Sequence, residues 1–413
     1  MPPCARSSPM ADLSSDPKAL SGRTGFPRMN RHDLMTALAT RWRMVPVLIA
    51  LALIWTYFSW ANPLFISPRN LSNLSLQIVV TAIVALGLMF VLVIGEIDLS
   101  VAASGAVSAA ISAGLAVNAG VDIGIAILVG LGVGAGIGAL QGVIVTWFRA
   151  PAFIVTLGMS LILQGILLDL LPEGTNLISL VGTPLGKIAT LYLSPGMGIA
   201  LLVAMTALYG FLSWQSWRAN HQQALGGSLL REVLLPTAAI AIAGAAAVAV
   251  FNAYRGVPGL VAFLLVLLAA FSYVTTQTRF GLYLYAVGAN AEAARRAGIS
   301  VPLVRIAAFT LTGLFAALGG MIAAGRVLGV SPDSADTTLL LEAIAAAVIG
   351  GVSLFGGRGS VWAALIGALV IGSVSNGMLL INASTQTRLE VQGAILTLAV
   401  VLDALLSRRG GAR

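Results

Sequence analysis

The strongest constraint on the fold of this chain is a series of apolar stretches that are each about as long as a bilayer-spanning helix. A helix needs about 20 apolar residues to cross the hydrocarbon core, and a backbone in lipid must satisfy its hydrogen bonds internally. The pattern therefore predicts an all-α, polytopic helical bundle with about 12 transmembrane helices, in a range of about 10–12, some of them broken or re-entrant. The predicted spans are residues 44–61, 71–94, 99–119, 123–147, 153–171, 196–213, 233–250, 258–276, 305–324, 338–355, 361–381 and 389–406.

The composition fits a protein whose main solvent is lipid. Hydrophobic residues make up 58% of the chain and charged residues only 9%, whereas soluble proteins carry about a quarter charged residues. The net charge of +8 is better explained by cytoplasmic loops and anionic headgroups of membrane lipid than by nucleic acid. The single cysteine, Cys4, excludes an internal disulfide and a cysteine-based metal cluster.

The distribution of positive charge predicts the orientation. With the N-terminus in the cytoplasm, 18 of the 23 Lys and Arg residues fall in cytoplasmic segments, which predicts that both termini are cytoplasmic. Residues 1–43 are rich in Pro, Ser and Arg and are expected to form a disordered cytoplasmic tail. Residues 44–406 are then the transmembrane domain, with a polar cytoplasmic loop at 277–304, and residues 407–413 are a second cytoplasmic tail.

A short helix is predicted within that polar loop. Asn290 is a good N-cap, because its side-chain oxygen can accept from the free N–H groups of the first turn. Glu292 near the start, and Arg295 and Arg296 near the end, complement the helix dipole. Gly298 can adopt the left-handed conformation that ends a helix. A helix this short is marginal in water, so it must dock either on its own chain or on a partner.

Two of the apolar stretches are interrupted, one in each half of the chain. Residues 94–100 read IGEIDLS, with two carboxylates at membrane depth, and residues 350–360 read GGVSLFGGRGS. Where glycine interrupts a helix, some backbone N–H and C=O groups lose their helical partners. Within a membrane such groups are tolerated only where they face protein or a water-filled cavity. The two breaks therefore point to a transport pathway.

Five polar residues within or beside the spans are candidates for lining this pathway. Ionisable groups in a membrane are costly, which makes function the first interpretation of Glu96, Asp98 and Glu342, with Ser100 and Asn376 as candidate hydrogen-bonding neighbours. Three of them have a structural alternative. Asp98 suits the N-cap of the third span, and Glu342 and Asn376 suit hydrogen bonds between helices.

One span carries small residues along a single face. Four glycines recur every fourth residue, which predicts a helix that a neighbouring helix approaches closely. They are Gly130, Gly134, Gly138 and Gly142.

The sequence predicts neither a catalytic site nor a metal site. The two histidines, His32 and His221, lie far apart in predicted cytoplasmic segments. The only Gly-Lys pair, Gly186-Lys187, is followed by Ile188 and lacks the glycine spacing of a phosphate-binding loop. If ATP drives transport, a separate chain must hydrolyse it.

These residues resemble a known family. Glu292-Ala293-Ala294-x-x-x-Gly298 is similar to the E-A-A-x-x-x-G coupling motif of ABC importer permeases, and residues 288–295 have the form found in the ribose/xylose branch. Tyr254-Arg-Gly-Val-Pro258, Glu96 and the additional pair of spans near 196–250 resemble the D-xylose type. Further matching segments are residues 96–100, 151–157, 343–351 and 376–377.

The resemblance implies the subunits of an inner-membrane importer. Two permease copies would form the pathway, a cytoplasmic ATPase would bind ATP and magnesium, and a periplasmic protein would deliver the sugar. The permease itself would be no enzyme and would bind no cofactor. The candidate ATPase-coupling residues are Asn290, Glu292, Ala293, Ala294, Arg295, Arg296 and Gly298. Leu340 and Glu342 depart from the Glu and Asp usual in relatives, which weakens a sugar-contact role for Glu342.

Other functions remain open at this point. Within the same importer class, the cargo could be D-xylose, ribose, another monosaccharide or a nucleoside. The sequence does not distinguish them, because a neutral polyol requires no charged residues in the transport pathway. A transporter driven by a proton or sodium gradient would instead use Glu96, Asp98 and Glu342 as titrating groups.

Overall fold

The computed structural model describes residues 45–222 and 227–411, and the predicted tail at 1–43 lies outside this range. The described chain is almost entirely helical, which confirms the all-α prediction. Its helices are α1 Val45–Ala61, α2 Pro68–Val93, α3 Val101–Val117, α4 Ile123–Trp147, α5 Ala152–Leu170, α6 Pro184–Lys187, α7 Pro195–Gln222, α8 Leu235–Asn252, α9 Gly259–Gln277, α10 Arg279–Ala289, α11 Ala291–Arg296, α12 Val301–Val327, α13 Thr337–Ile349, α14 Val361–Leu380 and α15 Thr385–Gly411.

Each of the twelve predicted spans falls on one of these helices. Within the described residues, eight helices are long and apolar enough to cross a membrane, and α1 and α3 are shorter apolar helices. Helix α13 ends at Ile349, six residues before the end of the predicted span at 338–355. A polytopic bundle is therefore confirmed, while a count of twelve crossings stays a prediction.

Helix α2 lies at the centre of the bundle. Every residue from Ile78 to Val93 is buried, as expected for a helix that is apolar on all sides. Phe90 stacks on Phe315 of α12 with ring centroids 6.0 Å apart and meets Phe271 of α9 edge-on at 5.8 Å. By contrast, α7 and α8 pair with each other and expose most of their apolar surface.

The glycine face of α4 packs against α12, which confirms the predicted close approach. Gly130, Gly134, Gly138 and Gly142 are all at this contact, and a Cβ at Gly134 would lie 2.5 Å from the Gly313 carbonyl oxygen. Gly132 and Gly136, on the opposite side of α4, have open space around them. The helix pair is therefore held at a separation that only glycine permits.

The connections between helices gather at two ends of the bundle. At one end, called the α11 end, lie residues 94–100, 278–300 and 350–360. At the other, called the far end, the two-residue strands β1 (Ile178–Ser179) and β2 (Gly329–Val330) pair antiparallel. The far end is further tied by the Leu193 N–H, which donates to the Val257 carbonyl at 2.8 Å.

The loop predicted at 277–304 is more ordered than its polarity suggested. Helix α10 fills residues 279–289 and buries Gly281, Leu284 and Val287. Thr278 caps its start by accepting from the Gly281 N–H. The amphipathic pattern of α10 is short and follows directly on α9. For this reason the sequence analysis treated residues 277–304 as one loop and did not predict α10 within it.

Candidate functional site

The short helix α11 forms where the sequence predicted it. The Asn290 side chain accepts a hydrogen bond from the Ala293 N–H at 2.9 Å, which confirms the N-cap. Gly298 has a φ of +85°, and its N–H donates to the Arg295 carbonyl at 3.0 Å. The Ile299 N–H donates to the Ala294 carbonyl at 3.0 Å, so the helix ends in a left-handed glycine turn.

The charged face of α11 is open. Glu292 forms ion pairs with Arg295 and, at 3.1 Å, with Arg296, and all three side chains are at least half exposed. Ala293 is exposed as well, whereas Ala294 is buried against the bundle. Ala294, one of the predicted coupling residues, thus anchors the helix, while the side chains of Glu292, Ala293, Arg295 and Arg296 are exposed.

The end of α10, directly before α11, touches the last residue of α2, just before the first break, and also touches the second break. A Cβ at Gly288 would collide with the Val93 carbonyl oxygen and lie 2.7 Å from the Gly357 nitrogen. The Gly357 N–H donates to that same Val93 carbonyl at 2.8 Å. Nearby, the Tyr285 hydroxyl donates to the Gly359 carbonyl at 3.0 Å. The two breaks, which lie in opposite halves of the sequence, therefore meet at the root of α11.

The first break is held by a network of buried polar groups. The Asp98 carboxylate accepts from the Ser100 N–H at 2.8 Å and from the Ser100 hydroxyl at 2.7 Å. The Gln141 amide of α4 donates to the Ser100 hydroxyl oxygen at 2.7 Å. The predicted N-cap role of Asp98 is wrong, because Ser100 is the N-cap residue of α3 and Asp98 instead fixes the turn before it.

Glu96 has a different environment from Asp98. It lies in the connection between α2 and α3, outside both helices, and its carboxylate is 3.2 Å from the Arg305 guanidinium. Burial raises the pKa of the Glu96 carboxyl, and the positive charge of Arg305 opposes that rise. The ion pair joins the first break to the start of α12, the helix that follows α11.

We expect the Glu96→Gln substitution to destabilise the protein by about 1–3 kcal/mol, because it leaves a half-buried Arg305 without its carboxylate. Arg305 Nε already has no hydrogen-bond partner within the described residues. Adding Arg305→Gln should recover most of the loss, since no charge is then left uncompensated. Thermal unfolding of detergent-solubilised Glu96→Gln, Arg305→Gln and the double variant measures this coupling.

A matched control is Glu292→Gln, which removes an exposed carboxylate from two ion pairs on α11. Exposed pairs contribute about 0–1 kcal/mol, so its unfolding should stay close to that of the wild type. If the double variant were no more stable than Glu96→Gln, the ion pair would not be what holds the break.

The second break is secured by a residue that the sequence did not single out. The Asp403 carboxylate of α15 accepts from the Leu354 N–H at 3.1 Å and from the Ser353 hydroxyl at 3.4 Å. A carboxylate within an apolar span is a detectable signal of such a role. Arg305 and Gln141 were missed as well, because their partners are distant in the sequence.

The remaining two predicted pathway residues, Glu342 and Asn376, line cavities in the far half of the bundle. Glu342 borders a cavity of about 430 Å³ between α2, α3, α12 and α13, and its carboxylate accepts from Ser375 at 3.0 Å and Gln392 at 2.8 Å. Asn376 borders a second cavity of about 470 Å³. Glu96, Asp98 and Ser100 line neither cavity, and contact of any of the five with substrate stays a prediction.

Comparison with known proteins gives the context of this site. Residues 70–400 match the family model described as the branched-chain amino acid transport system permease component. The chain is 38% identical over 370 residues to the xylose transport system permease protein XylH of Escherichia coli K12, and the match covers 89% of this chain and 92% of that protein.

Two further relatives match over a similar length. The XylH protein of Haemophilus influenzae is 37% identical over 86% of this chain and 95% of its own length. The ribose import permease protein RbsC of Escherichia coli K12 is 34% identical, covering 86% of this chain and 92% of that protein. No solved structure matches the chain.

Proposed function

This chain belongs to the family of the branched-chain amino acid transport system permease component, and we propose that its cargo is a monosaccharide, D-xylose in the first place and ribose as the alternative. It is the permease component of an ABC sugar importer. The similarity to xylose permeases over 89% of the chain supports the choice of D-xylose. Both cavities offer groups that can hydrogen-bond a neutral polyol: hydroxyls and carboxylates with small residues in the first, and amides, hydroxyls and two guanidinium groups in the second.

The proposal assigns α11 to the contact with a separate ATPase. Its support is geometric: a rigid, capped helix presents Glu292, Arg295 and Arg296 outward, and the chain directly before it touches the end of α2 and the second break through Gly288. Because no flexible linker separates α11 from these contacts, a displacement of α11 would also move the backbone at the two breaks. ATP and magnesium would be bound by the ATPase, and this chain would need no cofactor.

The orientation follows from that assignment. The α11 end and both termini would be cytoplasmic, and the far end would face the periplasm and a sugar-binding protein. Two copies of the permease would form the complete pathway in the lipid of the inner membrane. Substrate specificity would reside mainly in the binding protein, so the isolated permease should bind sugar only weakly.

The mechanism we propose is alternating access driven by the separate ATPase. Nucleotide binding would close the ATPase subunits and shift α11. Because Gly357 and Gly288 both lie against the Val93 carbonyl, that shift would change how the two breaks pack on each other. The spans that continue from the breaks, α3 and α14, would then reorient around the path.

The experiment that tests this function is uptake of radiolabelled sugar into proteoliposomes containing the permease, its ATPase and its binding protein. Xylose accumulation that requires ATP and the binding protein, and that persists with an uncoupler, is the expected result. Uptake that survives ATP depletion and collapses with the uncoupler would instead favour the gradient-driven transporter. A preference for ribose would change the cargo and leave the class intact.

A further inference from the structure

The second far-end cavity, called the vestibule below, has the composition of a sugar-binding pocket. Its volume of about 470 Å³ lies within the range of about 300–1,000 Å³ common for small-molecule sites. Among the described residues, no carboxylate borders it. Its lining residues with polar or aromatic side chains are Asn70, Asn73, Gln77, Thr190, Tyr192, Tyr254, Arg255, Arg326 and Asn376.

Several of these polar groups are not engaged by other side chains. Within the part of the chain that the structure describes, Asn73, Gln77, Arg255 and Arg326 make no side-chain hydrogen bond or ion pair, although Arg326 is attracted to Glu342. Asp98, by contrast, is buried and its carboxylate is paired with Ser100. Unused donors and acceptors that converge on one cavity are what a polyhydroxylated ligand requires.

The aromatic side chains give the vestibule a defined wall. The Arg255 guanidinium lies 5.4 Å from the centre of the Tyr254 ring and 5.9 Å from that of Tyr192. The two rings stand nearly perpendicular, at 82°, with centroids 6.4 Å apart. Contact with both rings orients the arginine, so that its N–H groups stay available for hydroxyl oxygens while the ring surfaces can pack against the C–H face of a sugar.

One face of α2 connects the vestibule to the cavity at Glu342. Asn70, Asn73 and Gln77 border the vestibule, and Val84 borders the cavity at Glu342. Successive members of this set are three, four and seven positions apart and so share one helical face. Thr81, which lies between Gln77 and Val84 on the same face, interacts with the Glu342 carboxylate. The polar residues Asn70, Asn73, Gln77 and Thr81 thus run along α2 from the vestibule towards the cavity at Glu342.

Two amides that border the vestibule are hydrogen-bonded to each other. The Asn70 side chain of α2 donates to Asn376 of α14 at 2.8 Å, and Asn376 donates back at 3.2 Å. Next to Asn376, Ser375 donates to Glu342. Sugar hydroxyls can exchange hydrogen bonds with such neutral amides at little net cost, because each bond lost is replaced by a similar one.

We propose that the vestibule is the reception site for the transported monosaccharide, with Arg255, Tyr192 and Tyr254 as the first contacts and Glu342 as the constriction leading to the other cavity. This inference rests on the proposed sugar-import function. The site binds the sugar weakly and holds it in transit, after the sugar has left the binding protein.

The test measures sugar uptake and ATP hydrolysis by the complete reconstituted transporter, at varied concentrations of sugar-loaded binding protein. We expect Arg255→Gln and Gln77→Ala to lower the sugar carried per ATP hydrolysed by about tenfold or more, as loss of transit-site hydrogen bonds requires. The concentration of binding protein that half-saturates ATP hydrolysis should not change. Arg69→Gln is the matched control, because Arg69 is exposed at the same end but does not line the vestibule.

A different pattern would overturn the inference. If the variants needed more binding protein but kept the wild-type sugar-to-ATP ratio, Arg255 and Gln77 would serve as a protein docking surface. If both variants matched the wild type, the vestibule would have no role in transport. If the wild-type transporter carried neither xylose nor ribose in the presence of ATP, the proposed import function itself would be rejected. That result differs from the two above, in which the wild type is active and only the role of the vestibule is decided.

A second measurement does not depend on turnover. Because Cys4 is the only cysteine, Cys4→Ser permits a single reporter at Leu379→Cys, labelled by a membrane-impermeant maleimide; Leu379 lines the vestibule and is exposed, and it supplies no polar group to the sugar. Millimolar xylose should slow its labelling by about twofold or more, since a bound ligand excludes the reagent. Arg69→Cys should label at the same rate with and without sugar. Equal rates at Leu379→Cys with and without xylose would contradict binding in the vestibule.

Discussion

Replacing Gly298 with proline should abolish ATP-driven sugar uptake while leaving the permease in the membrane. Gly298 has a φ of +85°, which proline cannot adopt because its ring fixes φ near about −65°. The substitution also removes the N–H that donates to the Arg295 carbonyl. A misfit of about 3 kcal/mol would disfavour the native turn after α11 by about a hundredfold.

The control is Gly298→Asn, because asparagine tolerates the left-handed conformation and no atom lies within 4 Å of a Cβ at this position. Uptake by Gly298→Asn should stay near that of the wild type, and co-purification with the ATPase should be kept. Normal uptake by Gly298→Pro would refute the coupling role of α11. Equal loss in both variants would show that glycine is needed for a reason other than its φ.

Replacing Gly138 with leucine should prevent the bundle from folding. A Cβ at Gly138 would collide with the Phe309 carbonyl oxygen, so leucine would push α4 away from α12 along their whole contact. Overpacking of this kind costs about 3 kcal/mol or more when backbone blocks the side chain. The expected result is loss of the monodisperse peak in size-exclusion chromatography of the detergent-solubilised protein.

Gly136→Leu provides the comparison two residues away on the same helix. Gly136 is exposed, and no atom lies within 4 Å of the position that its Cβ would occupy, so leucine there would extend into lipid. The elution profile of this variant should match that of the wild type. Identical behaviour of the two variants, in either direction, would mean that the contact between α4 and α12 does not depend on glycine.

Local features could be predicted correctly from the sequence. Asn290 and Gly298 delimit α11 because capping involves only groups within one helical turn. The glycine face of α4 was recognisable because a spacing of four places residues on one side of a helix. The predicted cap at Asp98 was wrong because the chain makes an additional turn there, and a carboxylate two residues earlier is an equally good local partner for Ser100.

The far half of the site was identified only in part. Glu342 and Asn376 were candidates because polar groups within apolar spans are conspicuous. Tyr254 and Arg255 were noted only as part of a segment that resembles the D-xylose type, and Tyr192 gave no signal, since aromatic and basic residues are common near membrane interfaces. Their significance depends on the cavity they border, which is built from several separate stretches of the chain.

The sequence by itself determined that this protein is a helical membrane bundle with a capped helix between two spans, because hydropathy, glycine spacing and capping are all short-range properties. Only the tertiary structure decided which distant segments meet. It placed Asn70 beside Asn376, 306 residues away, and brought both breaks to Val93 at the root of α11. Such pairings rest on neutral hydrogen bonds and backbone contact, which have no periodicity and no charge pattern from which a sequence could reveal them.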